Sequence, residues 1–386
     1  MHVLRWLPSV LLLIPWLLSP LQPSTAARIR DLASPVSFRL LDWETQHLAQ
    51  KAGALWTGLT TGSAADAADA ADTSAAERLR AYFANGADKA ALRPAAEAAL
   101  QALVAHAYRD GGLREAQPVQ VPGLFPPVLV TLTPPPNVLV IAPRTELRVE
   151  SSAVLQAMDV PAQEQLEASA DSTGVSSLVA PIGGLATYPS MVLEDESAQA
   201  VLASVAHEWL HQYLIFYPLG EGYWSSQETR EINETTAEMI GQEVGSQIAA
   251  QLGLNPPAAA PPPAAPSRQR PAFDFRAFMR ETRGHTEELL AQGQVDQAEA
   301  YMRARRDELQ QHGYVIRKLN QAYFALYGSY GEGFAASPSN PIPDLLRSLR
   351  ANSPSLGDFV VRVRGVTTVA QLREVAARAS QTALPA

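Results

Sequence analysis

The chain predicts an α+β fold in which a mixed sheet is followed by an α-helical lobe built on two long helices. Three observations carry that expectation: β-branched runs between residues 127 and 150, a long apolar helical pattern stopped by Pro218 and Gly220, and a second helical pattern opening at Ser225. With 386 residues, 47% of them apolar, the chain has enough material for one catalytic-sized core with smaller appendages.

Residues 1–27 have the layout of a secretory signal. Arg5 precedes the apolar run VLLLIPWLL, and small residues follow at Ser24, Thr25, Ala26 and Ala27. Residues 7–21 are short for a membrane span and carry Pro8, Pro15 and Pro20. Cleavage and retention as an N-terminal membrane anchor both fit, and either implies an exported protein, secreted or tethered at its N-terminus.

A helical region is expected over 28–118, with the low-complexity stretch SAADAADAADTSAA (63–76) as a solvated loop. The runs Pro127-Val-Leu-Val-Thr-Leu and Val138-Leu-Val-Ile read as strands, and so does the alternating Glu146-Leu-Arg-Val-Glu. Residues 163–174 suit a short helix and 177–182 a further strand; Gly183 then opens an extended segment. The first long helix is expected from about Ser197 to Tyr217, behind the acidic Glu194-Asp-Glu cluster. The second opens on the capping-box pattern Ser225-Ser-Gln-Glu and closes at Gly253. These elements make 119–254 the core region. A Pro/Ala linker spans 255–271, and a helical region occupies 272–386, with a hairpin turning near Gly293, a helix over 314–327 and a helical tail.

The net charge of −9 and the lack of any Lys/Arg-rich run argue against a nucleic-acid partner. There is no cysteine, so the chain has no disulfide or Cys-ligated zinc, and any metal must be held by His, Asp or Glu.

His207-Glu208-Trp209-Leu210-His211 lies within the first long helix. A separation of four residues is just over one turn, so both imidazoles project from one face and can chelate a single ion. Glu208 lies a step round the helix, where it can take a proton from a water on the open position. On the second helix, Ile232, Thr236, Ile240, Val244 and Ile248 form an apolar stripe. A different face carries Glu234, Glu238, Gly241 and Gly245, a set suited to close approach to another backbone. Buried together, two carboxylates one turn apart are costly unless a cation neutralises them. Glu234 would complete a His₂Glu site with one position free for water, and Glu238 would support a ligating histidine.

His-Glu-x-x-His followed on the next helix by Asn-Glu-x-x-x-Glu resembles the gluzincin metallopeptidases, which include thermolysin-like enzymes and membrane-alanyl aminopeptidases. The resemblance is concentrated in residues 197–245. It implies a zinc-dependent peptide-bond hydrolase with His207, His211 and Glu234 on Zn²⁺, Glu208 as general base, and Asn233 and Glu238 in support, acting on a peptide or protein substrate. The chain departs from the family in spacing: Glu234 follows His211 by 23 positions, longer than usual, and Glu231 stands nearer the usual distance. Glu234 is preferred for its Ile-Asn-Glu context and the acid four residues on, with the extra residues Gly220-Glu-Gly-Tyr absorbed in the inter-helix loop.

By the same resemblance, the segment Gly183–Tyr188 stands where gluzincins pair an edge strand with an extended substrate. It lacks the glutamate with which aminopeptidases hold a free N-terminus. A later Tyr or His would stabilise the oxyanion, and Tyr323, Tyr327, Tyr330 and His312 are the candidates. Two other readings stand beside the peptidase: an envelope scaffold keeping a metal without turnover, and a zinc hydrolase of a non-peptide amide or ester. A scaffold site would need ligands but no base, so Glu208 weighs against the first.

Overall fold

The computed structural model describes residues 25–60, 68–84, 86–194, 197–254, 273–328 and 337–382. The apolar run at 7–21 and the linker at 255–271 lie outside them. Among the described residues, no helix is long and apolar enough to cross a membrane.

The fold is α+β, helix-rich with two small sheets. The described residues open with helices α1 (Thr25–Ala33), α2 (Leu40–Gln46), α3 (Leu48–Thr60), α4 (Ala68–Phe83) and α5 (Lys89–Tyr108). The Ala/Asp stretch expected as a loop is helical from Ala68, and Ala75 is buried with Leu79 and Tyr82 in the core that α5 shares. Alanine is the strongest helix former, and its small side chain lets α4 lie against α5.

Strands β1 (Val130–Leu132), β2 (Asn137–Pro143) and β3 (Ser151–Leu155), helix α6 (Val160–Asp171), and strands β4 (Val175–Pro181), β5 (Gly184–Leu185) and β6 (Ser190–Val192) follow. They form two three-stranded sheets where one was expected. In the first, β2 lies between β3 and β4, antiparallel to both, with Leu139 opposite Ala153 and Val179. In the second, β6 runs parallel to β1 and antiparallel to the edge strand β5.

The antiparallel sheet is covered on both faces. Leu139, Ile141, Ala153 and Val179 pack with Ile29 and Ala33 of α1, while Val140, Ala142, Leu178 and Ala180 meet the C-terminal helices. Burial on both sides explains why β2 is a continuous apolar run. The expected strand at 146–150 is irregular backbone in the connection between β2 and β3. Its alternation records half-buried Leu147 and Val149 between exposed charges, and the third strand begins at Ser151.

Then come α7 (Ala198–Leu214), the short α8 (Pro218–Glu221), and α9 (Gln227–Gln251). Ser197 caps α7 by accepting from the Ala200 amide at 3.3 Å. Glu194, expected at that N-terminus, accepts instead from Tyr82 at 2.7 Å and Arg93 at 3.0 Å. The cap of α9 is Ser226, which accepts from Thr229 N at 3.0 Å. That register places Thr229, not Glu228, three residues after the cap, so the reciprocal carboxylate of a capping box is absent there.

Helices α10 (Phe275–Ala291) and α11 (Val295–Gln311) form the hairpin about Gly293, and α12 (Gln321–Tyr327) packs with them on the antiparallel sheet. The expected helix over 314–327 starts only at Gln321. Before it, Arg317 reaches Glu167 and Val179 O, Lys318 reaches Asp171 at 2.7 Å, and Asn320 reaches Ser177 O at 2.9 Å. Those partners lie along α6 and β4, and a helix would turn the three side chains away from one another. Helices α13 (Ile342–Ala351), α14 (Leu356–Val363) and α15 (Val369–Thr382) join the largest core, with α4, α5, α7 and α9.

Helices α7 and α9 form the most extensive helix pair among the described residues. The stripe Ile232, Thr236, Ile240, Val244 and Ile248 is buried. A Cβ at Gly241 would come within 2.7 Å of Ala203 O, and one at Gly245 within 2.7 Å of Ala203 N. Backbone atoms cannot yield as a flexible side chain does, so the helices would have to move apart. Gly245→Ala should therefore destabilise the protein by about 1–3 kcal/mol in a denaturant melt. Gly365→Ala, at an exposed position with open space, should stay within about 0.5 kcal/mol of the parent. Equal effects of the two would contradict the close-packed helix pair.

Candidate metal centre

Helix α7 is held firmly at the level of its histidines. Tyr108 of α5 donates to Ala206 O at 2.7 Å, Trp209 Nε1 donates to Pro126 O at 2.8 Å, and Gln212 Nε2 donates to Ser190 Oγ at 2.8 Å. Helix, strand and loop thus each hold one side of the turn carrying His207 and His211.

From this frame the two imidazoles converge, with His207 Nε2 and His211 Nε2 3.0 Å apart. Across the glycine contact, Glu234 Oε2 lies 3.5 Å from His207 Nε2 and 3.6 Å from His211 Nε2. His207 and Glu234 are buried, and His211 is half-buried. Glu234 Oε2 is itself buried and has no hydrogen-bond partner. A buried carboxylate oxygen without a donor is expensive, and here it faces two ring nitrogens across a gap of ion size. Four-coordinate bonds of about 2.0–2.1 Å set ligand atoms roughly 3.3 Å apart, a value the three distances bracket. His207, His211 and Glu234 together could hold a metal ion.

The expected third residue is thus the one brought to the histidines. Glu231 faces elsewhere: it accepts from Gln227 Nε2 at 2.7 Å and Asn340 Nδ2 at 3.4 Å, and burial pushes its carboxyl up. Glu238 Oε2 stands 3.6 Å from His207 Nδ1, on the side away from the gap. A carboxylate there favours the tautomer with its proton on Nδ1 and leaves Nε2 free for an ion. Asn233 is buried but donates to Leu219 O at 3.0 Å, so it ties α9 to the turn after α7 rather than touching a histidine.

The protonation of the ion-free cluster follows from its charges. Burial lowers the His207 imidazole, but Glu234 and Glu238 outweigh it and raise the group to about 10. Burial raises the Glu234 carboxyl, and the two histidines overcome it and hold the group well below the usual carboxylate range. The Glu238 carboxyl is lowered chiefly by its contact with His207. Proton and metal would compete for His207, and an ion would bind more tightly as the pH rises towards 10.

Glu208 is buried, and burial pushes its carboxyl up while the two histidines pull it down. Its side chain lies against the backbone of β5, where a Cβ at Gly184 would run into the Glu208 carboxylate. The glycine that opens the strand is what lets strand and acid come so close.

Tyr223, which sequence reasoning passed over, is also at the site. Its hydroxyl donates to Glu234 Oε1, and its ring stands edge-on to His211 with centroids 6.1 Å apart. The available signal was the stretch Gly220-Glu-Gly-Tyr, assigned from the sequence to the inter-helix loop, which ends in this tyrosine. Of the later aromatics considered for the oxyanion, Tyr323 and Tyr327 pack together in the core over the antiparallel sheet, and His312 stacks on Phe273 at 4.0 Å. Tyr330 lies outside the described residues.

No family model, curated protein or solved structure matches this chain.

Removing the carboxylates singly should rank them. Glu234→Ala should weaken metal binding by at least about 10–100-fold in competition with a chromogenic chelator. Glu238→Ala should fall at the lower end of that range, and Glu231→Ala should change little. A larger loss for Glu231→Ala than for Glu234→Ala would contradict the assignment.

Proposed function

We propose that this chain is a zinc-dependent peptide-bond hydrolase, exported by way of its N-terminal apolar segment. The observation that carries the reading is Glu208, a buried acid beside a His₂Glu cluster, on the same helix and against an edge strand. A site that only stored or scaffolded a metal would have no use for that acid.

The donor set favours zinc. Two imidazoles and one carboxylate suit it, whereas calcium and magnesium prefer all-oxygen shells. Bound there, zinc would supply a water of lowered pKa and polarise a substrate carbonyl. The rest falls to the protein's own groups. Glu208 takes the proton of the attacking water on its carboxylate and returns it to the leaving amine. The burial that raises its carboxyl makes it a better proton acceptor than an exposed glutamate. Among the described residues strand β5 pairs with β6 on one side only, so its outer edge can hydrogen-bond an extended peptide backbone beside Glu208. That edge favours a peptide over a small ester.

Glu208→Gln should retain zinc and lose hydrolysis of a mixed peptide library by a factor of at least about 100, an effect of the size expected for a general base. Chelator should abolish the wild-type activity. A Glu208→Gln variant as active as the wild type would overturn the mechanism.

A further inference from the structure

We propose that Tyr223 is a positioning residue that makes Glu234 bind its ion through Oε2 alone and so keeps the remaining position open for water. The proposal rests on the zinc reading above and adds to it a role for the loop between α7 and α9.

The two oxygens of Glu234 stand in different surroundings. Oε2 has no hydrogen-bond partner and faces both histidines, while Oε1 accepts from the Tyr223 hydroxyl. A carboxylate free at both oxygens can chelate, and with two histidines it would then fill four positions itself. A phenol proton on Oε1 takes up one of its two lone pairs and draws charge away from it, which makes Oε1 the weaker ligand of the two oxygens. Metal binding through one oxygen leaves room for the water that Glu208 must reach.

The loop fixes this arrangement from both ends. Tyr223 N donates to Gly220 O at 3.1 Å, and Ser225 N donates to Gly222 O at 2.8 Å. Asn233, next to Glu234 in the chain, grips Leu219 O at the start of the same turn. The tyrosine is therefore positioned relative to the helix that carries its acceptor. Its ring is packed by Trp224, with centroids 4.8 Å apart, and by the Arg230 guanidinium, 5.6 Å from the ring centre. This also gives Asn233 a role that involves no histidine.

The test compares wild type, Tyr223→Phe and Glu221→Gln as purified full-length proteins, loaded first with zinc and then with cobalt(II). Tyr223→Phe keeps the ring and its packing, and its thermal melt without metal checks folding. Its zinc affinity should fall by about 10-fold or more in chelator competition. Its cobalt(II) visible band should weaken, as happens when coordination rises from four to five, because Glu234 now chelates. Glu221→Gln, an exposed change in the same loop, should keep the wild-type affinity and band. A folded Tyr223→Phe with the wild-type cobalt band overturns the proposal while leaving the zinc reading intact. Wild type that takes up no zinc overturns that reading and this proposal with it.

Discussion

Helices α7 and α9 touch backbone to backbone at Gly241 and Gly245, and the site depends on that closeness. With side chains at those positions the helices would stand further apart, and Glu234 and Glu238 could not flank His207 from two sides. The contact also buries the Glu234 carboxylate, a cost of several kcal/mol unless a positive charge meets it. In the ion-free cluster that charge is the proton on His207, held there up to a pH of about 10 by the two carboxylates. A metal ion would replace the proton. The packing of two glycines thus creates an anionic recess that could hold a metal ion.

Around this contact, separate elements restrain each participant. Tyr108, Trp209 and Gln212 fix α7 to the preceding helix, loop and sheet, so the histidines are presented by a rigid element. Gly184 lets β5 approach Glu208 from one side, and the loop of Tyr223 approaches Glu234 from another. The recess is accordingly enclosed by the structures that the proposed chemistry would use: a strand edge for the substrate, an acid for the proton, and a donor on the third ligand.

Much of this was legible in the sequence, because local spacing determines it. The His207–His211 interval, the apolar stripe of α9 and the glycines on its other face are consequences of helical period, and they appear where the period puts them. Glu234 was separable from Glu231 because only Glu234 shares the glycine face. Less legible were features that depend on distant partners. Residues 314–320 carry a helical pattern but are drawn out by Glu167, Asp171 and Ser177, more than a hundred positions earlier. The alternation at 146–150 is that of a loop lying half on a core, which a period of two cannot tell from a strand. Tyr223 was hidden because a loop residue has no period, and nothing but its place in the stretch between the two helices marked it.

The most direct test is the zinc content of protein purified without chelators, with the X-ray absorption spectrum at the zinc edge. The account predicts about one zinc per chain, with a first shell of nitrogen and oxygen at about 2.0–2.1 Å and an imidazole signature. In the double variant His207→Ala/Glu234→Ala that zinc should be missing. Wild-type protein with no transition metal, or zinc that survives the double variant with an unchanged spectrum, would contradict it.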